Sequence, residues 1–197
     1  AQGQPFIAVA GAHGKTSTSA MIAVALLHSG VDASFAIGGP VLGSGSGARV
    51  GTDVFVAEAD ESDGSFLHYS PSIEVITNVE PDHLDHFGSK EAFIGIFKEF
   101  VDRLIPGGTL ICCGEDPGSC EIAEYGVTSD RVGELVTYGR PGSAVCPLTV
   151  EVADVVMDAD SSRATLVTKD ERVQLELAVT GEHNLLNAAG AWAACVA

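Results

Sequence analysis

The stretch Pro5-Phe6-Ile7-Ala8-Val9-Ala10-Gly11-Ala12-His13-Gly14-Lys15-Thr16 decides how the chain is read. Its first half is a short, unbroken apolar run, the pattern of a strand buried on both faces of a sheet. The second half is a glycine loop ending in Gly-Lys-Thr, and a helical stripe of Met21, Ile22, Ala25 and Leu26 then runs to a stop at Gly30. In such a strand–loop–helix unit, backbone N–H groups and a helix N-terminus converge on phosphate oxygens. The full pattern G-x-x-x-x-G-K-[ST] is matched only in its second part, because Val9 stands where the first glycine belongs. A shorter G-x-x-G-K-T remains. Lys15 is placed to reach β and γ phosphates and Thr16 to offer a hydroxyl to Mg²⁺, so the expected ligands are ATP and Mg²⁺. The strand before, the helix after and the Lys-Thr pair favour that reading over a glycine turn that binds nothing.

Outward from this loop the chain alternates. Further buried-type strands are expected at 33–37, 54–57, 73–77 and 109–113, and helices at 89–104 and 116–125. Residues 38–51, rich in glycine and serine, read as a mobile loop. From about Val136 the texture changes. Alternating stretches at 148–156, 164–168 and 173–179 predict antiparallel strands with one wet face, with Asp170-Glu171 as a hairpin turn and a last helix from near His183. The expected fold is α/β: a three-layer, mainly parallel sheet of the P-loop type flanked by helices, with a small antiparallel sheet near the C-terminal third. In such sheets ligands bind at the carboxyl ends of the strands, and the polar clusters fall there.

Two of those clusters have metal-binding chemistry. Glu58, Asp60, Glu61 and Asp63 crowd four carboxylates behind a strand. Either the loop is simply solvated, or a hard cation relieves the repulsion; the position at a strand end favours the cation. Asp82-His83-Leu84-Asp85-His86 places two histidines three apart between carboxylates, open to a transition metal such as Zn²⁺, with His83 favoured as its ligand, or to ordinary loop hydrogen bonds. Near the end, Asn184 and Asn187 share one helix face, and their amides suit an adenine edge, although Asn184 alone would also serve as a helix cap.

Composition narrows the classes. The 197 residues carry ten Lys and Arg against 27 Asp and Glu, a net charge of −17. This opposes a nucleic-acid surface, which needs clustered basic residues. It also means a polyanionic ligand requires local neutralisation of the kind Gly11–Thr16 provides. No apolar run is long enough to cross a bilayer, and the five cysteines, odd in number and without C-x-x-C spacing, read as reduced core residues of a cytoplasmic protein.

Four segments together, GAHGKTSTSAM (11–21), EADESDGSFL (58–67), ITNVEPDHLDHFGS (76–89) and GEHNLLNAAGA (181–191), resemble the Mur ligases, ATP-dependent amide-forming enzymes of peptidoglycan synthesis. The segments follow the family's order and correspond to its central, ATP-binding domain. Residues 1–197 are therefore expected to be that domain, without the UDP-binding and amino-acid-binding domains that flank it. The resemblance is strongest to the member that joins UDP-N-acetylmuramate to L-alanine. It implies phosphate contacts from Gly11, Ala12, His13, Gly14, Lys15, Thr16 and Ser17, and adenine contacts from His183, Asn184 and Asn187. It also implies Mg²⁺ ligation by Thr16, Glu58 and His83, a catalytic role for Lys15, Glu58 and His83, and substrate contacts from Asp63, Ser65, Phe66, Asp85 and His86. Several siblings carry a carbamoylated lysine where this chain has Phe97; Lys98 next to it points about 100° away on a helix, so no such modification is expected. The rival readings are a sibling that recycles intact tripeptide, and a non-catalytic nucleotide-binding module.

Overall fold

Alternate residues of β1 (Phe6–Ala10) enter opposite layers: Ile7 and Val9 join one core, Ala8 and Ala10 the other. That double burial explains the unbroken apolar run. The computed structural model describes residues 3–60, 64–80 and 89–197. After β1 come α1 (Lys15–His28), β2 (Ala33–Ala36), β3 (Ala48–Arg49), β4 (Val54–Glu58), a 3₁₀ turn at Ser65–His68 and β5 (Ile73–Ile76). Then follow α2 (Lys90–Val101), β6 (Gly108–Cys113), α3 (Pro117–Thr128), β7 (Val132–Gly139), β8 (Val150–Met157), β9 (Ser162–Val167), β10 (Arg172–Leu177) and α4 (Glu182–Val196).

The strands form one ten-stranded sheet in the order β10-β9-β8-β7-β6-β5-β1-β4-β2-β3. Pairings from β2 through β8 are parallel, while β8–β9, β9–β10 and β2–β3 are antiparallel. The α/β expectation holds, with a difference at the C-terminal third. The antiparallel strands continue the main sheet, because β7 and β8 pair through Tyr138 and Val150. β7 carries the join, and its mixed pattern of exposed and buried positions hides it from the sequence.

Two of the helices start where side chains meet orphan N–H groups. Ser89 accepts from Ala92 N at the head of α2, and Asp116 from Ser119 N at the head of α3, where Pro117 takes the first helical position. On the α2 and α3 side, Phe66, Phe93, Phe97 and Phe100 form a buried aromatic cluster with ring centroids 4.6–5.8 Å apart. On the other side α1 packs on α4.

Two expectations are corrected. Residues 38–51 are folded back rather than loose: β3 pairs with β2, Ile37 N donates to Gly47 O at 2.8 Å, and Val41 is buried. Not all the cysteines are reduced, because Cys120 and Cys146 form a disulfide. Cys120 lies in the first turn of α3 and Cys146 in the β7–β8 connection; parallel neighbours β6 and β7 bring both to one sheet edge, across 26 residues of sequence. Cys112, Cys113 and Cys195 are free, and burial pushes their thiols up, to about 11 for Cys113 and Cys195. Phe66 is fully buried against Phe97 and Phe100. Among the described residues no helix is long and apolar enough to cross a membrane.

Candidate active site

The chain moves from β1 through α1 to β2 on one side, then from β4 to β5 on the other, so β1 is a point where strand order reverses. Such a crevice is where an open parallel sheet takes ligands. Gly11 follows β1, Glu58 ends β4, and Thr77-Asn78 follow β5. All three lie at carboxyl ends.

Two glycines give the loop its shape. Gly11 has φ +135° and lies so tightly on Thr77 and Asn78 that a β-carbon would collide with Thr77 Oγ1 and approach Asn78 O to 2.8 Å. Gly14 has φ +84° at the head of α1, which carries no side-chain cap, leaving its N-terminal amides as anion donors. Lys15 Nζ donates to Gly11 O at 2.6 Å, so its stem curls over the loop.

Thr16 Oγ1 is 3.0 Å from both carboxylate oxygens of Glu58, and Gly38 N donates to Glu58 Oε2 at 2.9 Å. The hydroxyl and carboxylate are a pair of hard oxygen donors that fits Mg²⁺. Among the described residues no group of three or more His, Cys, Asp or Glu is arranged as a metal cluster. Asp60 is exposed just beyond the end of β4. His83, Asp85, His86 and Asp63, and the side chain of Ser65, lie outside the described residues.

The fourth wall is α4. Gly181, with φ +115°, precedes it and leaves room for the His183 ring. Asn187 is buried, and its Oδ1 lies 2.6 Å from where a β-carbon on Gly14 would stand, so this amide touches the phosphate loop itself. Asn184 is no cap on its own helix: its Nδ2 donates back to Thr180 O at 2.8 Å. The N-terminus of α4 is tethered by Arg140, which directly follows β7. Arg140 makes side-chain bonds to both Glu115 oxygens, at 2.7–3.2 Å, and also engages Glu182. These two carboxylates hold the Arg140 guanidinium pKa above its ordinary value. Sequence reasoning missed this tie, because its members are 25 and 42 residues apart and form no motif.

Ala12 is half-buried, and His13 and Ser17 are exposed on the loop and first turn of α1. Phe97, at the siblings' lysine position, is fully buried, and Lys98 pairs with Glu121 at 2.7 Å on α3.

A family model described as the Mur ligase middle domain matches residues 9–195. A UDP-N-acetylmuramate–L-alanine ligase from Kineococcus radiotolerans is 52% identical over 195 residues, covering 98% of this chain and 40% of that protein. Among solved structures, a UDP-N-acetylmuramate-alanine ligase from Thermotoga maritima is 27% identical with a TM-score of 0.79, over 98% of this chain and 41% of that one. A UDP-N-acetylmuramate:L-alanyl-gamma-D-glutamyl-meso-diaminopimelate ligase from Neisseria meningitides is 25% identical with a TM-score of 0.81, over 98% and 61%. The chain thus spans about 40% of the length of the curated relatives it matches. With the glycine loop, the Thr16–Glu58 pair and Asn187 of α4 in one crevice and the family model covering nearly every residue, the chain belongs to the Mur ligase family, as its middle domain.

Proposed function

We propose that this chain is the ATP-binding domain of a cytoplasmic ligase that joins UDP-N-acetylmuramate to L-alanine in peptidoglycan synthesis. The observation that carries this reading is the convergence of Lys15, Thr16 and Glu58 at the strand ends, in a chain 52% identical to a relative bearing that name. The lactyl carboxylate of the sugar nucleotide attacks the γ-phosphorus of ATP, giving an acyl phosphate and ADP. The amine of alanine then attacks the acyl carbon, and phosphate leaves as the amide forms.

The residues divide the work. A triphosphate in the loop offers Lys15 charged oxygens in place of the neutral carbonyl of Gly11, a stronger hydrogen bond. Lys15 then follows the γ-phosphoryl group as charge develops on it. The open amides of α1 orient the β-phosphate. Asn187, buried against Gly14, together with Asn184 and His183, lines the approach of the adenine. Thr16, Glu58 and His83 would hold Mg²⁺, which when bound neutralises phosphate charge. Asp63, Ser65, Asp85 and His86 are assigned to the muramoyl side. The domains that contact the sugar nucleotide and the amino acid belong to the rest of the enzyme, so these 197 residues alone turn over neither substrate.

Titration with ATP tests the site. Binding is expected to strengthen with Mg²⁺ and to be lost in Lys15→Ala; binding indifferent to Mg²⁺ would remove the roles given to Thr16, Glu58 and His83. Offering the full-length enzyme L-alanine or tripeptide tests the acceptor, and preference for the tripeptide would reassign the chain to the recycling sibling.

A further inference from the structure

The phosphate loop is not held by its own sequence alone. At the end of β5, Asn78 makes two hydrogen bonds to a single loop residue: its Oδ1 accepts from His13 N at 2.9 Å, and its Nδ2 donates to His13 O at 2.9 Å. Beside it, Thr77 Oγ1 donates to the same carbonyl at 2.6 Å. The side-chain amide of Asn78 thus does what the peptide of a neighbouring strand would do. It continues the β1–β5 pairing, which ends at Ala10 and Ile76, onto a loop that has left the sheet. The His13 N–H and both lone pairs of its carbonyl are occupied. Gly11 lies tight on the same two residues, so the base of the loop is fixed at two points.

We infer that Asn78 is a positioning residue of the nucleotide site, clamping His13 so that the amides from Gly14 onward and Lys15 are presented to phosphate in one fixed arrangement. This rests on the ATP-binding reading above and adds to it a residue that contacts no phosphate. It also redefines His13, whose N–H serves the clamp rather than a phosphate. Preorganised donors bind an anion better than donors that must first be ordered, because the ordering cost has already been met on folding. Asn78 is two residues after Ile76, so the clamp also ties the phosphate loop to the carboxyl end of β5.

Aspartate supplies a test that simple damage would not mimic. A neutral carboxylic acid has one O–H donor and one acceptor oxygen, matching the amide; a carboxylate has only acceptors and turns one of them on His13 O. Facing that carbonyl, the introduced carboxyl resists ionisation and titrates above the ordinary aspartate range. The groups beside it, His13 and Lys15 on the loop, Glu80 on its own segment and Asp116, which accepts from Val79 N, are common to every variant. Wild type at each pH is therefore the reference.

ATP affinity with Mg²⁺ is measured between pH 7.5 and 5 for the wild type, Asn78→Ala, Asn78→Asp and Lys15→Ala, with hydrogen exchange of the His13 amide followed by NMR. Losing two hydrogen bonds of about 1 kcal/mol each predicts affinity weaker by roughly tenfold or more in Asn78→Ala at every pH. Asn78→Asp is expected below Asn78→Ala at pH 7.5, and to rise past it toward wild type as pH falls. Protection of the His13 amide is expected to follow the same order. Wild-type affinity in Asn78→Ala, or an aspartate variant that never exceeds the alanine variant, overturns the clamp. So does retained His13 protection in Asn78→Ala, a readout independent of nucleotide. Indifference of binding to Lys15→Ala would instead overturn the ATP-site reading while the exchange data still decide the clamp.

Discussion

Against one face of the sheet lie α2 and α3, and the positions α2 buries are large: Phe93, Ile94, Phe97, Phe100 and Val101, joined by Phe66 and Leu110. Against the other face lie α1 and α4, and the positions α4 buries are mostly Ala188, Ala189, Gly190, Ala191, Ala193 and Ala194. The nucleotide site borders the second face. Large aromatic side chains remove much apolar area from water and hold helices at a distance. Small ones give up area but let a helix come close, which is what puts Asn187 against the backbone of Gly14. One face supplies stability; the other supplies geometry.

The division can be broken first at its stable half. Phe97 is fully buried between Phe66 and Phe93, and Phe97→Ala is expected to cost about 3–5 kcal/mol of unfolding free energy. ATP affinity of the remaining folded protein should stay within about twofold, because Phe97 packs on the rings of Phe66 and Phe93. Urea unfolding together with nucleotide titration measures both. A large affinity loss at unchanged stability would show that the faces are not separable.

Gly190→Ala is the converse. A β-carbon there would stand 2.9 Å from the ring and hydroxyl of the buried Tyr138, so α4 or the ring must shift. Overpacking costs about 1–3 kcal/mol, while alanine regains about 1 kcal/mol of helix propensity over glycine, leaving a net loss of roughly 0–2 kcal/mol. Affinity should fall more than this small stability change suggests, since α4 carries Asn187. Affinity equal to wild type would separate the fit of α4 from nucleotide binding.

The sequence made the site-bearing half readable because its signals are local. An apolar run on β1, glycines in a turn, and Lys-Thr at a helix start are each fixed by the residues beside them. The expected helices at 89–104 and 116–125 match α2 and α3 to within a few residues, since their caps, Ser89 and Asp116, are adjacent in sequence. What escaped was set by distant partners. Cys120 meets Cys146 only because β6 and β7 run parallel, and Arg140 finds Glu115 and Glu182 by the same route. Phe66 sits in a segment whose motif resembles a substrate loop, and its burial among Phe97 and Phe100 is set by residues some thirty positions away. The Asn78 side chain reads as one more polar residue in a cluster until the loop it holds is folded against it.

One residue breaks the rule for the aromatic face. Glu74 alternates with Ile76 on β5 and so points into that layer, where it is fully buried with neither carboxylate oxygen hydrogen-bonded among the described residues. Desolvation, and secondarily the charge of Asp102, raise its pKa well above the ordinary glutamate value. The folded state therefore holds a proton that the unfolded chain releases. Its contribution is fully present below the ordinary glutamate range and is lost as pH rises toward the raised folded value. Glu74→Met removes both the unpaired polar group and this proton linkage while nearly keeping the volume. It is expected to stabilise the protein by about 1 kcal/mol at acid pH, with the advantage over wild type growing between pH 5 and 8. Denaturation across that range reads the difference directly. A constant gap would mean that the folded Glu74 carboxyl ionises in the ordinary glutamate range, and a loss of stability would mean that its carboxyl has a partner the aromatic layer needs.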